Sequence, residues 1–215
     1  MCRVQSGGSA AWATTFVLWA NLFELSAHAW SPLGPTGGTP AGLAINPKTT
    51  SIAYAPTRGG GVFKTTDSAA HWTPTNVGLT SLDVRALAID PVSTGTIYAA
   101  TANGVERTTN AAASWSLTTF PAGPAQAVAI DPKASTRVFA AGVGTFCRSS
   151  DKGLTWPQCG TGLPNQTVVA IAVATARLLA ATDGGGVFAS TDDGLTWHPS
   201  SQGLTTTNLT ALVAD

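Results

Sequence analysis

The sequence predicts an all-β fold, a β-propeller of four-stranded antiparallel blades with about four blades in the chain. Its hydrophobic residues (44%) are diluted by 23 Gly and 13 Pro, a mixture that suits short strands and tight turns better than long helices. Five tryptophans recur at spacings of 42, 43, 41 and 41 residues, namely Trp30, Trp72, Trp115, Trp156 and Trp197. Between them the chain repeats a pattern of four short apolar segments, and four strands in about 40 to 45 residues are typical of a propeller blade.

Each repeat supplies its predicted strands in the same order, which we number from inner to outer. An apolar first strand such as 86–89 is followed by a turn that often contains Asp-Pro or Asn-Pro. A second strand such as 97–100, a glycine-rich turn, a third strand and a polar turn follow, and the fourth strand opens at Trp. The predicted propeller domain is 30–215, with blades at roughly 42–77, 84–120, 126–164 and 168–203, an isolated outer strand near 30–34 and an isolated inner strand at 209–215.

The polar turn before each fourth strand is the most regular part of the repeat. "SSDKGLTW" from Ser149 and "STDDGLTW" from Ser190 share Ser/Thr-x-Asp-x-Gly-x-Thr-Trp, and "TTDSAAHW" and "TTNAAASW" are weaker copies. We call these four segments (65–72, 108–115, 149–156 and 190–197) the repeat turns. They resemble the Asp-box, or bacterial neuraminidase repeat, of β-propellers, which sialidases, xyloglucanase-type glycosidases, sortilin-type receptors and photosystem assembly factors carry. The resemblance covers nearly all of the chain after residue 29 and implies the fold, but families that share it have unrelated activities.

Each residue type in a repeat turn has a physical reason to be there. An Asp or Asn side chain can accept hydrogen bonds from its own turn, Gly permits positive φ, and an indole can fill the gap between blades. Ala69 and Ala112 replace the glycine in the weaker copies and predict strained or differently shaped turns, while Asp193 is a variable position predicted to be exposed. A catalytic role for the aspartates is the alternative. The residues predicted to be structural are Asp67, Asn110, Asp151, Gly153, Trp156, Asp192, Gly194 and Trp197.

Residues 1–29 are typical of a signal peptide. Arg3 precedes the apolar run "AAWATTFVLWANLFEL", and Ala27 and Ala29 form an A-x-A cleavage pattern before Trp30. A buried helix or a membrane anchor is the alternative, although the run is short for a span and Glu24 interrupts its end. We therefore expect a secreted protein, periplasmic or extracellular, with no membrane span after signal removal.

Two cysteines remain beyond the signal peptide. Cys147 and Cys159 flank a predicted hairpin turn centred near Gly153, which would place them opposite each other within disulfide reach. Two unpaired buried thiols are the alternative. The three scattered histidines and these cysteines have no ligand spacing, so the sequence predicts no metal and no cofactor.

The charge balance excludes some partners. The chain has 11 Lys+Arg and 11 Asp+Glu, and charged residues make up only 10% of it. Such a surface gives neither the basic footprint of a nucleic-acid-binding protein nor a polybasic patch for anionic lipid. A protein or a carbohydrate of unknown identity is the expected ligand.

The family resemblance also implies where a ligand would bind. Propeller ligands usually lie on the face built from the turns between second and third strands and from the connections between blades, opposite the repeat turns. Each polar residue there has a plain alternative role as a solvated loop residue. The candidates on this face are Arg58, Arg85, Asn103, Gln126, Asn165 and Asn208, together with the carboxylates Asp83 and Asp183.

Glycoside hydrolysis is the enzymatic alternative, and the sequence offers little for it. The usual mechanism needs two carboxylates about 5 to 10 Å apart, and Asp83 and Asp183 are the weak candidates for that pair. Sialidase-like chemistry would also need an arginine cluster and a tyrosine nucleophile, whereas Tyr54 and Tyr98 lie within second-strand patterns. Glu106 is an anomaly, because it stands where we expect Phe63, Phe146 and Phe188 in the other repeats.

The sequence therefore predicts an exported, non-enzymatic propeller that acts as a scaffold for binding or assembly, with a glycosidase or part of one as the alternative. The middle strands of a fifth blade are missing. Either four blades close imperfectly, or the chain assembles with another copy, or it is a fragment of a longer propeller. An open arc would expose blade edges and favour self-association.

Overall fold

Four antiparallel β-sheets follow one another along the chain, one for each sequence repeat. The structure is a computed structural model, and it describes residue 35 and residues 37–212. The predicted signal peptide, the predicted outer strand near 30–34 and residues 213–215 lie outside this range. In the described part there is no helix, and hence no helical segment capable of crossing a bilayer.

Sheet 1 contains β1 (Thr39–Pro40), β2 (Ala44–Ile45), β3 (Ala53–Arg58), β4 (Gly61–Thr65) and β5 (Thr73–Pro74). Sheet 2 contains β6 (Val84–Ile89), β7 (Ile97–Thr101), β8 (Gly104–Thr108) and β9 (Ser116–Leu117). Sheet 3 contains β10 (Ala127–Ile130), β11 (Val138–Ala141), β12 (Phe146–Ser149) and β13 (Gln158–Cys159). Sheet 4 contains β14 (Val168–Val173), β15 (Leu178–Thr182), β16 (Gly186–Ser190) and β17 (His198–Pro199).

In sheets 2, 3 and 4 the strands lie side by side in chain order. The first strands β6, β10 and β14 contact the first strand of the neighbouring sheet and so form the inner edge. The fourth strands are only two residues long and exposed. This arrangement of successive four-stranded antiparallel sheets is that of propeller blades, and it confirms the predicted fold class.

Sheet 1 departs from the pattern at its inner edge. Its first strand is split into β1 and β2, both of which pair with β3. The split falls where Pro40 offers no backbone N–H and Gly42 has no side chain to pack, two features that interrupt a strand ladder. As a result, the first sheet begins at residue 39, ahead of the predicted start of that blade at residue 42.

Apolar clusters fill the spaces between consecutive sheets, which we call the first, second and third seams. Trp115 of sheet 2 packs with Tyr54 of sheet 1 in the first seam. Trp156 packs with Tyr98 in the second, and Trp197 packs in the third with residues of sheet 3. Each of the three tryptophans is at most 6% exposed, so the indoles that mark the sequence repeat bury apolar area between neighbouring sheets.

Two of the connections between sheets, and the segment after sheet 4, are paired with the sheet that they leave. Isolated β-bridges join Arg58 to Asp83, Val143 to Thr167 and Asp183 to Asn208. Beyond Asn208, residues 209–212 form no strand, in contrast to the predicted inner strand at 209–215, because the described residues contain no second strand for a further sheet. The ring is not closed within the described residues.

Candidate functional site

The repeat turns are closed by their own side chains. In the third turn, Asp151 accepts hydrogen bonds from the backbone N–H (2.9 Å) and the hydroxyl (2.6 Å) of Thr155. The Ser149 hydroxyl donates to the same carboxylate at 2.7 Å. In the fourth turn Asp192 accepts the same pair of bonds from Thr196, at 2.9 and 2.5 Å. Both oxygens of each carboxylate are therefore engaged within the turn.

The two weaker copies use the same geometry with different partners. Asp67 accepts a bond from the His71 backbone N–H at 2.9 Å, and its second oxygen lies 2.7 Å from His71 Nδ1. Asn110 accepts from the Ser114 backbone N–H and donates to the Ser114 hydroxyl, both at 2.9 Å. An amide can thus replace the carboxylate without loss of the closing bonds.

These hydrogen bonds favour the charged form of each carboxyl. The Thr155 hydroxyl, followed by the Thr155 backbone N–H, lowers the pKa of Asp151 to about 2. The Thr196 hydroxyl acts in the same way on Asp192, and the His71 backbone N–H on Asp67, so the pKa of both carboxyls lies well below its usual range. Carboxylates held in this state accept bonds well but are poor proton donors near neutral pH.

Two consecutive residues with positive φ form the corner of every repeat turn. The second of them is Gly153 (φ 75°) or Gly194 (φ 86°) in the full matches, and Ala69 (φ 71°) or Ala112 (φ 67°) in the weaker copies. The alanine turns therefore keep the shape of the glycine turns and accept the strain of a left-handed backbone. Of the two predicted outcomes, strain is the one observed.

The opposite edge of the sheets contains a cavity of about 570 Å³, which we call the front cavity. Polar side chains from sheets 1, 2 and 4 and from two connections meet there. Arg58 is the last residue of β3 and Asp183 lies in the turn after β15, whereas Gln126 comes from the connection between sheets 2 and 3 and Asn208 from the segment after sheet 4. The cavity is lined by Ala41, Arg58, Arg85, Gln126, Thr167, Val169, Asp183, Asn208, Leu209 and Thr210.

Two β-bulges explain how strand residues reach this cavity. In sheet 2 the register shifts between Val84 and Ala86, which leaves Arg85 without a partner on β7. In sheet 4 the same shift leaves Val169 without a partner on β15. A bulge locally redirects a side chain, and both bulged residues line the front cavity.

The two candidate carboxylates have different surroundings. Asp83 Oδ2 accepts hydrogen bonds from Arg85 Nε (3.1 Å) and Nη2 (2.8 Å), and the Arg85 side chain is only 13% exposed. Asp83 Oδ1 is buried and has no hydrogen-bond partner among the described residues. Asp183 is exposed and is the single carboxylate that lines the front cavity within the described part of the chain. The cavity wall therefore does not contain a pair of carboxylates.

Two candidate amides lie outside the cavity lining. Asn103 donates to the Thr80 backbone carbonyl at 2.9 Å and to its hydroxyl at 3.2 Å. Asn165 packs beside the turn that contains Gly144. Both residues therefore lie at connections between sheets and not among the side chains that line the front cavity.

The tyrosines have no access to a ligand. Tyr54 and Tyr98 are fully buried, and Tyr98 donates to the Lys152 carbonyl at 2.8 Å. Burial raises the pKa of Tyr98 to about 12 and also raises that of Tyr54. These phenols remain protonated near neutral pH, so neither has the properties of a nucleophile.

Glu106 is a buried carboxyl that the sequence marks as unusual without showing its role. It is 0% exposed and accepts bonds from the Thr80 backbone N–H (3.1 Å to each oxygen) and the Thr80 hydroxyl (3.0 Å). Strand register aligns Glu106 with Phe63, Cys147 and Phe188. The predicted equivalence of Glu106 and Phe146 is wrong. Phe146 lies one residue before the position on β12 that corresponds to Glu106.

Asp193 forms ion pairs between sheets 3 and 4 that the repeat pattern alone does not predict. Its Oδ2 accepts from Arg137 Nη1 at 3.1 Å and from Arg148 Nη1 at 2.9 Å, across the third seam. Arg137 also forms an ion pair with Asp131. The prediction of an exposed variable residue misses these contacts, because both partners belong to the preceding repeat.

Cys147 and Cys159 face each other on β12 and β13 and form a disulfide. Cys147 is fully buried, so the bridge ties the short outer strand to the third strand of sheet 3. Among the described residues no group of three or more His, Cys, Asp or Glu side chains could hold a metal ion.

Comparisons with known proteins give structural matches only. No family model and no curated protein matches the chain. An ancestral GH74 enzyme is similar, with a TM-score of 0.67 and 23% identity over 78% of this chain and 25% of that one. The GH74 xyloglucanase from Xanthomonas campestris is similar with a TM-score of 0.60 and 21% identity, over 79% of this chain and 31% of that one.

YCF48 bound to D1 peptide is also similar, with a TM-score of 0.60 and 16% identity over 78% of this chain and 56% of that one. The chain thus spans between 25% and 56% of the length of these three proteins. At such identities the likeness shows the fold alone, and that fold is a β-propeller.

Proposed function

We propose that the protein is an exported, non-enzymatic β-propeller that binds a polypeptide segment at the front cavity and serves as a scaffold for assembly. The observation that carries this proposal is the convergence of Arg58, Arg85, Gln126, Asp183 and Asn208 on one cavity that contains a single carboxylate. These groups combine charge and amide hydrogen bonding at one site.

The chemistry of the lining suits a peptide. The amides of Gln126 and Asn208 can each donate and accept, which matches the alternating N–H and C=O groups of an extended backbone. Arg58 and Asp183 are exposed and carry opposite charges, so each can pair with a side chain or a terminus of the peptide. The similar propeller YCF48 has been solved bound to D1 peptide, which supports this class of ligand.

The same geometry argues against glycoside hydrolysis. An acid and a base or nucleophile are needed on either side of the glycosidic bond, and Asp83, the second candidate, is held by two hydrogen bonds from Arg85. The likeness to GH74 enzymes keeps a glycosidase as the second candidate. Its test is the release of reducing sugar from xyloglucan, with turnover that disappears in Asp83→Asn or Asp183→Asn.

The proposal includes the family character and location of the chain. We take the repeat turns to be Asp-boxes, on the support of their self-closing hydrogen bonds. Export is supported by the Cys147–Cys159 disulfide, because disulfides persist in oxidising compartments. Self-association is supported at the inner edge of sheet 1, where Leu43 and Ile45 are 59% and 52% exposed.

Selection of random peptides displayed on phage, followed by fluorescence anisotropy with the recovered peptides, tests the binding proposal. Arg58→Ala and Asn208→Ala should each weaken binding about tenfold, which corresponds to about 1.4 kcal/mol. Arg177→Ala is the matched control, because Arg177 is an equally exposed arginine at the repeat-turn edge. Peptides whose affinity is unchanged in both front-cavity variants would overturn the proposal.

A further inference from the structure

The three seams between sheets are not equivalent at the repeat-turn edge. In the first seam Tyr54 Oη donates to the Ala111 carbonyl at 3.4 Å, and in the second Tyr98 Oη donates to the Lys152 carbonyl at 2.8 Å. Strand register places Phe139 at the corresponding position of sheet 3. Phenylalanine has no hydroxyl, so the third seam lacks the bond that closes the other two.

A cavity of about 580 Å³ opens at this third seam, and we call it the seam cavity. Its walls are the turn 131–137 of sheet 3, the turn 173–177 of sheet 4 and part of the fourth repeat turn. Phe139 and Leu178, which are 1% and 4% exposed, line its buried part. Val173, Ala174 and Ala176, which are more exposed, supply the apolar surface that a small hydrocarbon body would contact.

The outer part of the seam cavity has an excess of positive charge. Asp131 and Asp193 also line it, but Arg137 and Arg148 pair with them. Lys133 and Arg177 are exposed at the cavity wall, and neither side chain has an ion-pair or hydrogen-bond partner among the described residues. Two cations are thus left available beside an apolar pocket.

Arg137 adds a further unsatisfied donor. Its Nε is buried and has no hydrogen-bond partner among the described residues, although both terminal nitrogens are paired. A buried N–H without an acceptor is costly, and Arg137 lines the seam cavity.

We propose that the seam cavity binds a small organic anion, with its flat apolar body against Phe139 and Leu178 and its carboxylate or sulfonate group between Lys133 and Arg177. The site lies at the edge opposite the front cavity and does not depend on the proposed function. At the corresponding position, the first and second seams are each bridged by a tyrosine hydroxyl.

Titration with 1-anilinonaphthalene-8-sulfonate, monitored by fluorescence, tests the proposal on the full chain. We expect one saturable site from which 2-naphthoate displaces the dye. The neutral analogue 2-naphthylmethanol should compete at least about tenfold more weakly, since it keeps the apolar body and loses the charge. Equal competition by the alcohol, or an affinity for 2-naphthoate weaker than about 1 mM, would overturn the assignment of an anion.

Substitutions at the seam cavity test whether the dye binds there. Phe139→Tyr rebuilds the hydroxyl of the other seams within reach of the Asp193 carbonyl and should lower dye affinity about tenfold or more. Arg177→Gln should lower affinity for 2-naphthoate several-fold and leave that for 2-naphthylmethanol unchanged. Arg58→Gln at the front cavity is the matched control, with no expected effect on dye affinity.

The unfolding midpoint of each variant shows that the native fold is retained. Dye binding that survives unchanged in both Phe139→Tyr and Arg177→Gln places the dye elsewhere and overturns the proposal. Loss of binding in Arg58→Gln, with the midpoint preserved, would do the same.

Discussion

The corner glycines of the third and fourth repeat turns should differ in their tolerance of a side chain. A Cβ built on Gly194 would lie 2.2 Å from Cε1 and 2.8 Å from Cδ1 of Phe146, whereas a Cβ on Gly153 would first meet Tyr98 Cε1 at 2.9 Å. Both glycines have positive φ. Gly194→Ala therefore combines backbone strain with a severe steric clash inside the third seam, and Gly153→Ala combines the same strain with a milder clash against the buried Tyr98 ring.

The magnitudes follow from these two contributions. A left-handed backbone costs an alanine about 1 to 2 kcal/mol, which is the lower bound of the expected loss for Gly153→Ala. Overpacking of a closed core adds about 1 to 3 kcal/mol, so Gly194→Ala should lose about 2 to 5 kcal/mol in free energy of unfolding. In Ala69→Gly the relief of strain, about 1 to 2 kcal/mol, is offset by about 0.5 to 1 kcal/mol of added chain entropy.

Urea unfolding monitored by tryptophan fluorescence measures these differences, provided that the denaturant dependence is unchanged. Ala69→Gly is the control, with an expected change of at most about 1.5 kcal/mol. Equal losses in Gly194→Ala and Gly153→Ala would show that the Phe146 ring moves away without cost, and would refute the steric argument.

Three further predictions concern stability. Glu106→Ala leaves the Thr80 backbone N–H without its acceptor and should cost about 2 to 4 kcal/mol in urea unfolding; Glu106→Gln keeps an acceptor, and an equal loss in both variants would contradict this. Because the pKa of Asp151 is about 2 in the folded protein and about 3.9 when unfolded, its stabilisation is complete above about pH 4 and is lost as the pH falls towards 2. Acid titrations of stability should therefore be flatter in Asp151→Asn, and identical profiles would argue against it. Reduction of Cys147–Cys159, which are 12 residues apart, should lower stability by about 2 to 4 kcal/mol; a Cys147→Ser/Cys159→Ser variant that dithiothreitol does not affect is the control.

Much of the architecture can be predicted from the sequence because it is set within each repeat. The period of the tryptophans and the turn residues between apolar segments predict four successive sheets and their strand order. The pairing of Cys147 with Cys159 depends only on a hairpin and is equally local. The fold class follows from these short-range signals alone.

Contacts between repeats are harder to predict from the sequence. The bonds from Arg137 and Arg148 to Asp193 cross a seam whose geometry a sequence does not provide. The same is true of Glu106, whose partner Thr80 lies 26 residues earlier. The face on which the front cavity lies can be predicted from the sequence. The side chains that line the cavity depend on β-bulges such as that at Arg85, and no local sequence pattern marks these bulges.

The contacts that hold neighbouring sheets together do not determine how many sheets the chain contains. Every apolar cluster in the described residues joins one sheet to the next. Each added unit therefore forms the same kind of apolar seam with its neighbour as the one before it, as in linear repeat arrays. Duplication or deletion of a whole repeat would leave the remaining seams intact. Such a chain can therefore change its length in evolution by one sheet at a time, without changes to the apolar contacts between the other sheets.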